Sequence, residues 1–233
     1  MNIDNQSLTS FTSRNIEIRK ADKIMRQAMN HYPMVSTSRA KFYDVVKKDD
    51  RNLSKCFNLF NKLFNLRMTR MPLPQFQRIE RIIGDTKRNR NGNCLEQAYI
   101  ALAAFLANGY KDLKIGTLNL KTTTRTPLNF SNEKNKLLDH LVLIVNSGKD
   151  AELQNLKTYN PKTIIVDPWR GFVDYLPNAI KKYEELFIQG KRDTLKDGKK
   201  IKQRINFNQY DTIESVEILS QMSEKKYPEF VVK

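Results

Sequence analysis

Three residues of the chain, Cys94, His140 and Asp167, have the types that cysteine-dependent acyl transfer requires. A thiol attacks a carbonyl carbon as its thiolate, so it needs a base such as imidazole within hydrogen-bond reach. The imidazole in turn needs an acceptor on its second ring nitrogen, which fixes its tautomer and orientation. Because the chain has only two cysteines and two histidines, few other combinations could carry this chemistry.

The residues around Cys94 favour a reactive thiol. Cys94 begins the apolar run 94–107, which predicts a buried helix whose positive N-terminal end stabilises a thiolate. Gly92 lets the chain turn sharply into this helix, and Asn91 or Asn93 can cap it. The sequence therefore predicts a nucleophile at a helix N-terminus.

His140 and Asp167 are placed to complete this site. His140 lies near the start of an apolar segment that predicts a strand, and Asp167 ends the next predicted strand. Each residue also has an ordinary structural interpretation, since a lone cysteine is usually a core residue and Asp-Pro commonly forms a turn. Cys56 and His31 fit that structural interpretation, whereas the conjunction of the other three favours catalysis.

Three motifs together resemble the papain-like and transglutaminase-like thiol enzyme superfamily. They are Gly92-Asn93-Cys94-Leu95-Glu96-Gln97-Ala98, Asp139-His140-Leu141-Val142 and Asp167-Pro168-Trp169. The resemblance covers residues 88–176 and implies a Cys-His-Asp triad, with the cysteine at the start of the central helix. It also implies that Trp169 shields the His–Asp pair from water.

The spacing of the motifs departs from papain. His140 follows Cys94 by 46 residues, where papain has about 130. The compact spacing is more similar to transglutaminase-like proteins and to bacterial effector glutamine deamidases of the same fold. Arg88 stands where papain relatives carry a glutamine that stabilises the oxyanion. We therefore predict that the Cys94 N–H and the side chain of Asn91 or Asn93 serve instead.

The resemblance implies attack of the Cys94 thiolate on a carboxamide of a protein substrate, with no cofactor and no metal. Water, an amine or a peptide bond as the reacting partner would give deamidation, transglutamination or proteolysis. By analogy with small bacterial effectors we expect glutamine deamidation, and the protease and transglutaminase reactions remain alternatives. A basic nucleic-acid-binding protein or an inactive adaptor scaffold is a second alternative.

The element order predicts an α+β fold: a papain-like/transglutaminase-like core in which a buried central helix packs on an antiparallel sheet, after a helical layer. Apolar spacing and turn residues predict the individual elements. The helices are expected near 15–30, 38–48, 53–66, 75–83, 94–107 and 178–188, the strands at 113–120, 137–145 and 163–166, and a strand or helix at 212–219.

We expect one compact domain made of a flexible leader over 1–14, a helical layer over 15–84 and the catalytic core over 85–233. The Ser/Thr/Asn-rich start has no apolar segment and is not a Sec signal peptide. It resembles the leader of effectors that a syringe-type apparatus exports from a bacterium into the host cytoplasm. A cytoplasmic location is the alternative.

Lys and Arg number 41 against 25 Asp and Glu, a formal net charge of +16. The run 191–204 holds seven basic residues, but neither it nor 87–90 has interleaved aromatics or a nucleic-acid-binding motif, which argues against nucleic-acid binding as the main role. Lys87, Arg88 and Arg90 are predicted to steer an acidic protein partner, or an anionic membrane surface, toward Cys94. No segment has the roughly 20 apolar residues of a membrane span.

Overall fold

Apolar runs and turn residues divide the chain into the helices and strands of an α+β fold in the computed structural model. The structure describes residues 5–34, 50–122, 135–148, 151–152, 155–188, 203–212 and 227–232. The helices in these ranges are α1 (Asn5–His31), α2 (Asp50–Arg70), α3 (Gln75–Asn89), α4 (Cys94–Ala107) and α5 (Leu176–Ile188). The strands are β1 (Leu113–Thr122), β2 (Asn135–Val145), β3 (Ile164–Asp167), β4 (Phe172–Tyr175) and β5 (Gln203–Thr212).

These elements belong to two compact units, where the sequence predicted a single domain. The sheet unit draws on residues 1–22, 110–167 and 172–214. The helical unit draws on residues 23–109, 168–171 and 215–233. The predicted boundary at residue 84 does not separate these units, because it falls inside α3 and α4 packs on α3 within the helical unit.

The sheet is antiparallel, with its five strands in the order β4-β3-β2-β1-β5. β1 pairs with β2 through partners such as Ile115 and Leu143, and on its other side with β5. Leu143 also faces Val166 of β3, which continues the ladder. The long apolar side chains of β1, β2 and β3 are buried, and this burial favours strands over turns in these segments.

One face of the sheet packs against α5. Leu118, Val142, Ile144 and Ile165 form a buried cluster with residues of α5, which are Leu176, Ala179 and Tyr183. Successive side chains of a strand point to opposite faces. His140 and Asp167, each two residues from a member of the cluster, therefore lie on the same face as α5.

The core of the helical unit consists of one apolar face from each outer helix and nearly the whole circumference of α4. The outer helices contribute Ile24, Met25, Ala28, Leu63, Ile79, Ile82 and Ile83. Every residue of α4 except Leu95 is buried. This confirms the prediction of a buried helix over 94–107. The helix packs on α3 and on a short turn of 3-10 helix, Pro228–Phe230.

Several boundaries differ from the sequence predictions. α1 begins at Asn5, so residues 5–14, predicted as a flexible leader, are helical. The chain has no glycine or proline before Pro33, so nothing interrupts the helix once its apolar part has formed. α3 continues from Ile83 to Asn89 and ends where Arg90 adopts a left-handed conformation, with φ of 48°.

Two strands were not predicted. β4 has only four residues, and β5 overlaps the end of the basic run 191–204, whose charge masked the alternation that follows it. The predicted helix at 38–48 lies outside the described residues, as does the predicted element at 212–219 except for its first residue.

Candidate functional site

The sheet unit brings His140 and Asp167 together as a buried pair. Nε2 of His140 lies 2.6 Å from Oδ2 of Asp167. His140 is 5% exposed and Asp167 is fully buried. β2 supplies the histidine and β3 ends with the aspartate, as the sequence predicted.

Tyr183 of α5 is a third member of this group, and the sequence did not reveal it. Its hydroxyl donates to the same Oδ2 of Asp167 at 2.8 Å. Its ring meets the His140 ring edge to face, with 6.2 Å between the centroids. A signal was available: Tyr183 continues the apolar face of α5 after Leu176 and Ala179, and a buried tyrosine hydroxyl usually has a polar partner.

The geometry suits proton transfer by His140. Two donors converge on one oxygen of Asp167, and hydrogen bonds of this kind stabilise the ionised carboxylate. The carboxylate in turn holds the proton on Nε2 of His140 and fixes the plane of the ring. Nδ1 is then the ring nitrogen that would accept and return a proton.

Cys94 belongs to the helical unit and is the first residue of α4. Asn93 and Glu96 form a capping box, in which the Glu96 carboxylate accepts the Asn93 backbone N–H at 3.0 Å. The N–H groups of the first turn and the helix dipole favour an anion at this position. The structure therefore confirms that Cys94 opens a capped, buried helix.

Asn91 has an environment different from the predicted one. It is buried, and its Nδ2 donates to the backbone carbonyl of Leu59 at 3.0 Å, so part of its donor capacity is committed to α2. Its Oδ1 is buried without a hydrogen-bond partner among the described residues. Asn93 serves as the N-cap of α4. The predicted contribution of either side chain to an oxyanion site remains a prediction.

Lys87 was predicted to steer substrate, but it is held by internal partners. Its ammonium contacts the rings of Tyr32, Tyr227 and Phe230, with centroids 4.9–5.2 Å away. It also forms an ion pair with Glu229. These contacts explain why the charge of Lys87 is largely compensated within the helical unit.

The two arginines of the same run differ from each other. Arg88 is exposed but pairs with Asp85, with Nη2 and Oδ1 2.6 Å apart. Arg90 is exposed and ends α3, where its backbone N–H donates to the carbonyl of Thr86. Arg90 is therefore the residue of this run that best fits the predicted steering role.

Trp169 lies in the turn that joins β3 to β4, and its ring is half-buried. The guanidinium of Arg170 stacks over this ring at 4.5 Å from its centroid. Its predicted role as a shield for the His–Asp pair remains a prediction. His31 ends α1 and is exposed, and the Cys56 side chain lies outside the described part of the structure.

Within the described ranges, no group of three or more His, Cys, Asp or Glu side chains is arranged to hold a metal ion. In the same ranges, no helix combines the length and the hydropathy that a bilayer span requires.

Comparison with protein-family models gives no match to this chain, and no curated protein is significantly similar to it.

Proposed function

We propose that this chain is a cysteine-dependent acyl-transfer enzyme that deamidates a glutamine side chain of a protein substrate. Cys94 is the nucleophile, His140 is the base and acid, and Asp167 orients the histidine. The observation that carries the proposal is the buried His140–Asp167 pair, whose 2.6 Å contact is reinforced by Tyr183. A histidine that serves only to fill a core rarely needs a fully buried carboxylate with a second donor.

The reaction proceeds in two halves. The Cys94 thiolate attacks the carboxamide carbon, the C–S bond forms, and the carbonyl electrons move to oxygen. His140 then donates its proton to the nitrogen as the C–N bond breaks and ammonia leaves, which yields a thioester. In the second half, His140 deprotonates a water that attacks the thioester, and the thiol is restored as the carboxylate product departs.

A papain-like/transglutaminase-like core is the finer fold assignment that we propose within the α+β class. The buried helix α4, opened by Cys94, and the antiparallel sheet that carries His140 and Asp167 support it. The order of the three residues along the chain is that of the superfamily. Protease and transglutaminase activities use the same first half-reaction, so they are the alternatives that the assay must separate.

The biological setting is proposed by analogy with bacterial effectors of this fold. The protein would leave the bacterium without a Sec signal and modify an acidic host protein in the cytoplasm, guided by Arg90 and the net charge of +16. Deletion of residues 1–14 should abolish export, and normal export of the truncated chain would contradict this part of the proposal.

The decisive experiment incubates the wild-type and Cys94→Ala proteins with host-cell lysate and compares the products by intact-protein and peptide mass spectrometry. A small mass gain at a glutamine, present with wild type alone, is expected. New termini would indicate proteolysis, and crosslinked peptides would indicate transglutamination. Both outcomes would contradict deamidation.

Variants at the other site residues test their roles. His140→Ala and Asp167→Ala should lower the rate by about 10²–10⁴-fold, since each removes part of the proton-transfer apparatus. Tyr183→Phe keeps the ring and loses one donor, so its loss should be smaller. Cys56→Ala and His31→Ala are the matched controls and should act at near the wild-type rate. Activity that survives in Cys94→Ala would refute the proposal, and tight salt-dependent duplex binding by that variant would favour the nucleic-acid alternative.

A further inference from the structure

A buried cluster of charges stands behind the first turn of α4. Glu96, the third residue of the helix, is fully buried and accepts four hydrogen bonds. Arg67 donates from Nε to Oε1 at 3.0 Å and from Nη2 to Oε2 at 2.8 Å. Arg70 donates from Nη1 to Oε1 at 3.3 Å, and the Asn93 N–H supplies the fourth bond. Two guanidinium groups of α2 thus enclose one carboxylate of α4.

The cluster continues from α2 into α3. Nε of Arg70 contacts Oδ2 of Asp85 at 3.1 Å, and Asp85 also pairs with Arg81 and Arg88. Each buried carboxylate is therefore matched by at least two guanidiniums. The remaining charged pair on the elements that pack against α4, Lys87 with Glu229, is neutral as a pair.

Glu96 has two opposite effects on the start of the helix. As the acceptor in the capping box it holds Asn93, and so fixes the backbone that places Cys94. As an anion in the same helical turn it opposes the formation of a thiolate, and burial leaves this repulsion poorly screened. A capping carboxylate next to a nucleophilic thiol is useful only if its charge is compensated.

We propose that Arg67 and Arg70 are positioning residues that neutralise Glu96, so that Glu96 caps the helix without suppressing the reactivity of Cys94. The relevance to turnover rests on the proposed function. The effect on the thiol does not, because alkylation of Cys94 requires neither the substrate nor His140.

The test measures the rate at which uncharged iodoacetamide alkylates Cys94 in the full chain carrying Cys56→Ser. Arg67→Gln is the informative variant, since Arg67 is 35% exposed at its side chain and glutamine can still donate one hydrogen bond. We expect alkylation at pH 7 to slow by about 3- to 10-fold, because the charge of Glu96 is then only partly compensated. At pH 10, where thiols are largely ionised, the rate should match that of the parent.

Two further variants make the result specific. Adding Glu96→Gln to Arg67→Gln removes the anion while keeping an acceptor for Asn93, and should return the pH 7 rate to within twofold of the parent. Arg81→Gln removes the same charge from the chain but pairs with Asp85, not Glu96, and is 55% exposed. It should alter the rate by less than twofold.

Equal rates for Arg67→Gln and the parent at pH 7 would overturn the proposal. An equal slowing at both pH values would also overturn it, since that pattern indicates altered access to the thiol. If Arg67→Gln does not fold, Glu96→Gln alone decides, because it should alkylate at least as fast as the parent. A slowing beyond threefold in a folded Glu96→Gln protein, checked by circular dichroism, would refute the neutralising role. Loss of the proposed deamidation in all assays would leave these alkylation rates unaffected.

Discussion

Gly92 shows how closely the backbone approaches the capping box. A Cβ atom added at this position would lie 2.6 Å from Cβ of Glu96 and 3.0 Å from Sδ of Met34. The glycine is needed for space, since its φ is not in the left-handed region, where the sequence had suggested a role in turning the chain. The motif Asn91-Gly92-Asn93-Cys94 thus contains a residue whose hydrogen atom permits contact between the loop and the first turn of α4.

We predict that Gly92→Ala lowers the free energy of unfolding by about 1–3 kcal/mol, because the added methyl must displace Glu96. Gly84→Ala is the matched control. Gly84 lies inside α3, and the nearest atom to its added Cβ is 3.7 Å away on the Arg88 side chain. Alanine should stabilise this helix by about 0.5–1 kcal/mol. Urea unfolding measures both changes, and a Gly92→Ala protein as stable as Gly84→Ala would contradict the steric argument.

At the scale of elements, the turn at 227–232 fastens the helical unit together. The carbonyl of Val231 accepts from Gln27 of α1 at 3.2 Å. Asn108, which follows α4, donates to the carbonyl of Phe230 at 2.8 Å and accepts the N–H of Val232 at 3.0 Å. Glu229 pairs with Lys87 of α3. One short segment therefore contacts three helices of this unit.

The ionisable groups of this turn are perturbed by one another. Burial alone would raise the pKa of Glu229, but the hydrogen bond and charge of Lys87 outweigh it and lower the pKa below its ordinary value. Burial and the charge of Glu229 raise the pKa of Tyr32 and of Tyr227 to about 12. The cluster is therefore built for ionised Glu229 and Lys87 beside neutral tyrosines.

These shifts predict a stability of the helical unit that falls at both ends of the pH range. The contribution of Glu229 is present above its ordinary pKa of 4.5 and is lost as the pH falls through its lower folded value. The contribution of the tyrosines is present below their ordinary pKa of 10.0 and is lost as the pH rises from there to about 12.

Urea unfolding from pH 3 to pH 11.5 measures this profile. The difference in stability between wild type and Glu229→Gln should be largest between pH 6 and pH 9 and should shrink toward pH 3. Tyr227→Phe should weaken the alkaline decline without altering the acid one. A Glu229→Gln difference that is constant with pH would show that its ionisation does not contribute to folding.

At the scale of the whole molecule, what could be predicted depended on whether the cause was local. The apolar run 94–107 predicts α4 because a helix buried all round has the same signature wherever it packs. His140 and Asp167 were also predicted as a pair, since adjacent antiparallel strands bring such residues together. The group around Lys87 could not be predicted, because its partners Tyr227 and Phe230 lie about 140 residues further along the chain. Tyr183 was missed for the same reason.

The two-sided pairing of β1 has a consequence for how the chain folds. Lys114 of β1 pairs with Thr212 of β5, almost a hundred residues away, whereas the contacts of Glu96 with Arg67 and Arg70 span fewer than thirty. Local contacts form faster than distant ones, so the assembly of α2, α3 and α4 should precede the addition of β5. Pulsed hydrogen exchange should find α4 amides protected before those of β5, and simultaneous protection would contradict this order. Until β5 arrives, β1 has an open edge, where the refolding chain is most prone to pair with another copy and aggregate.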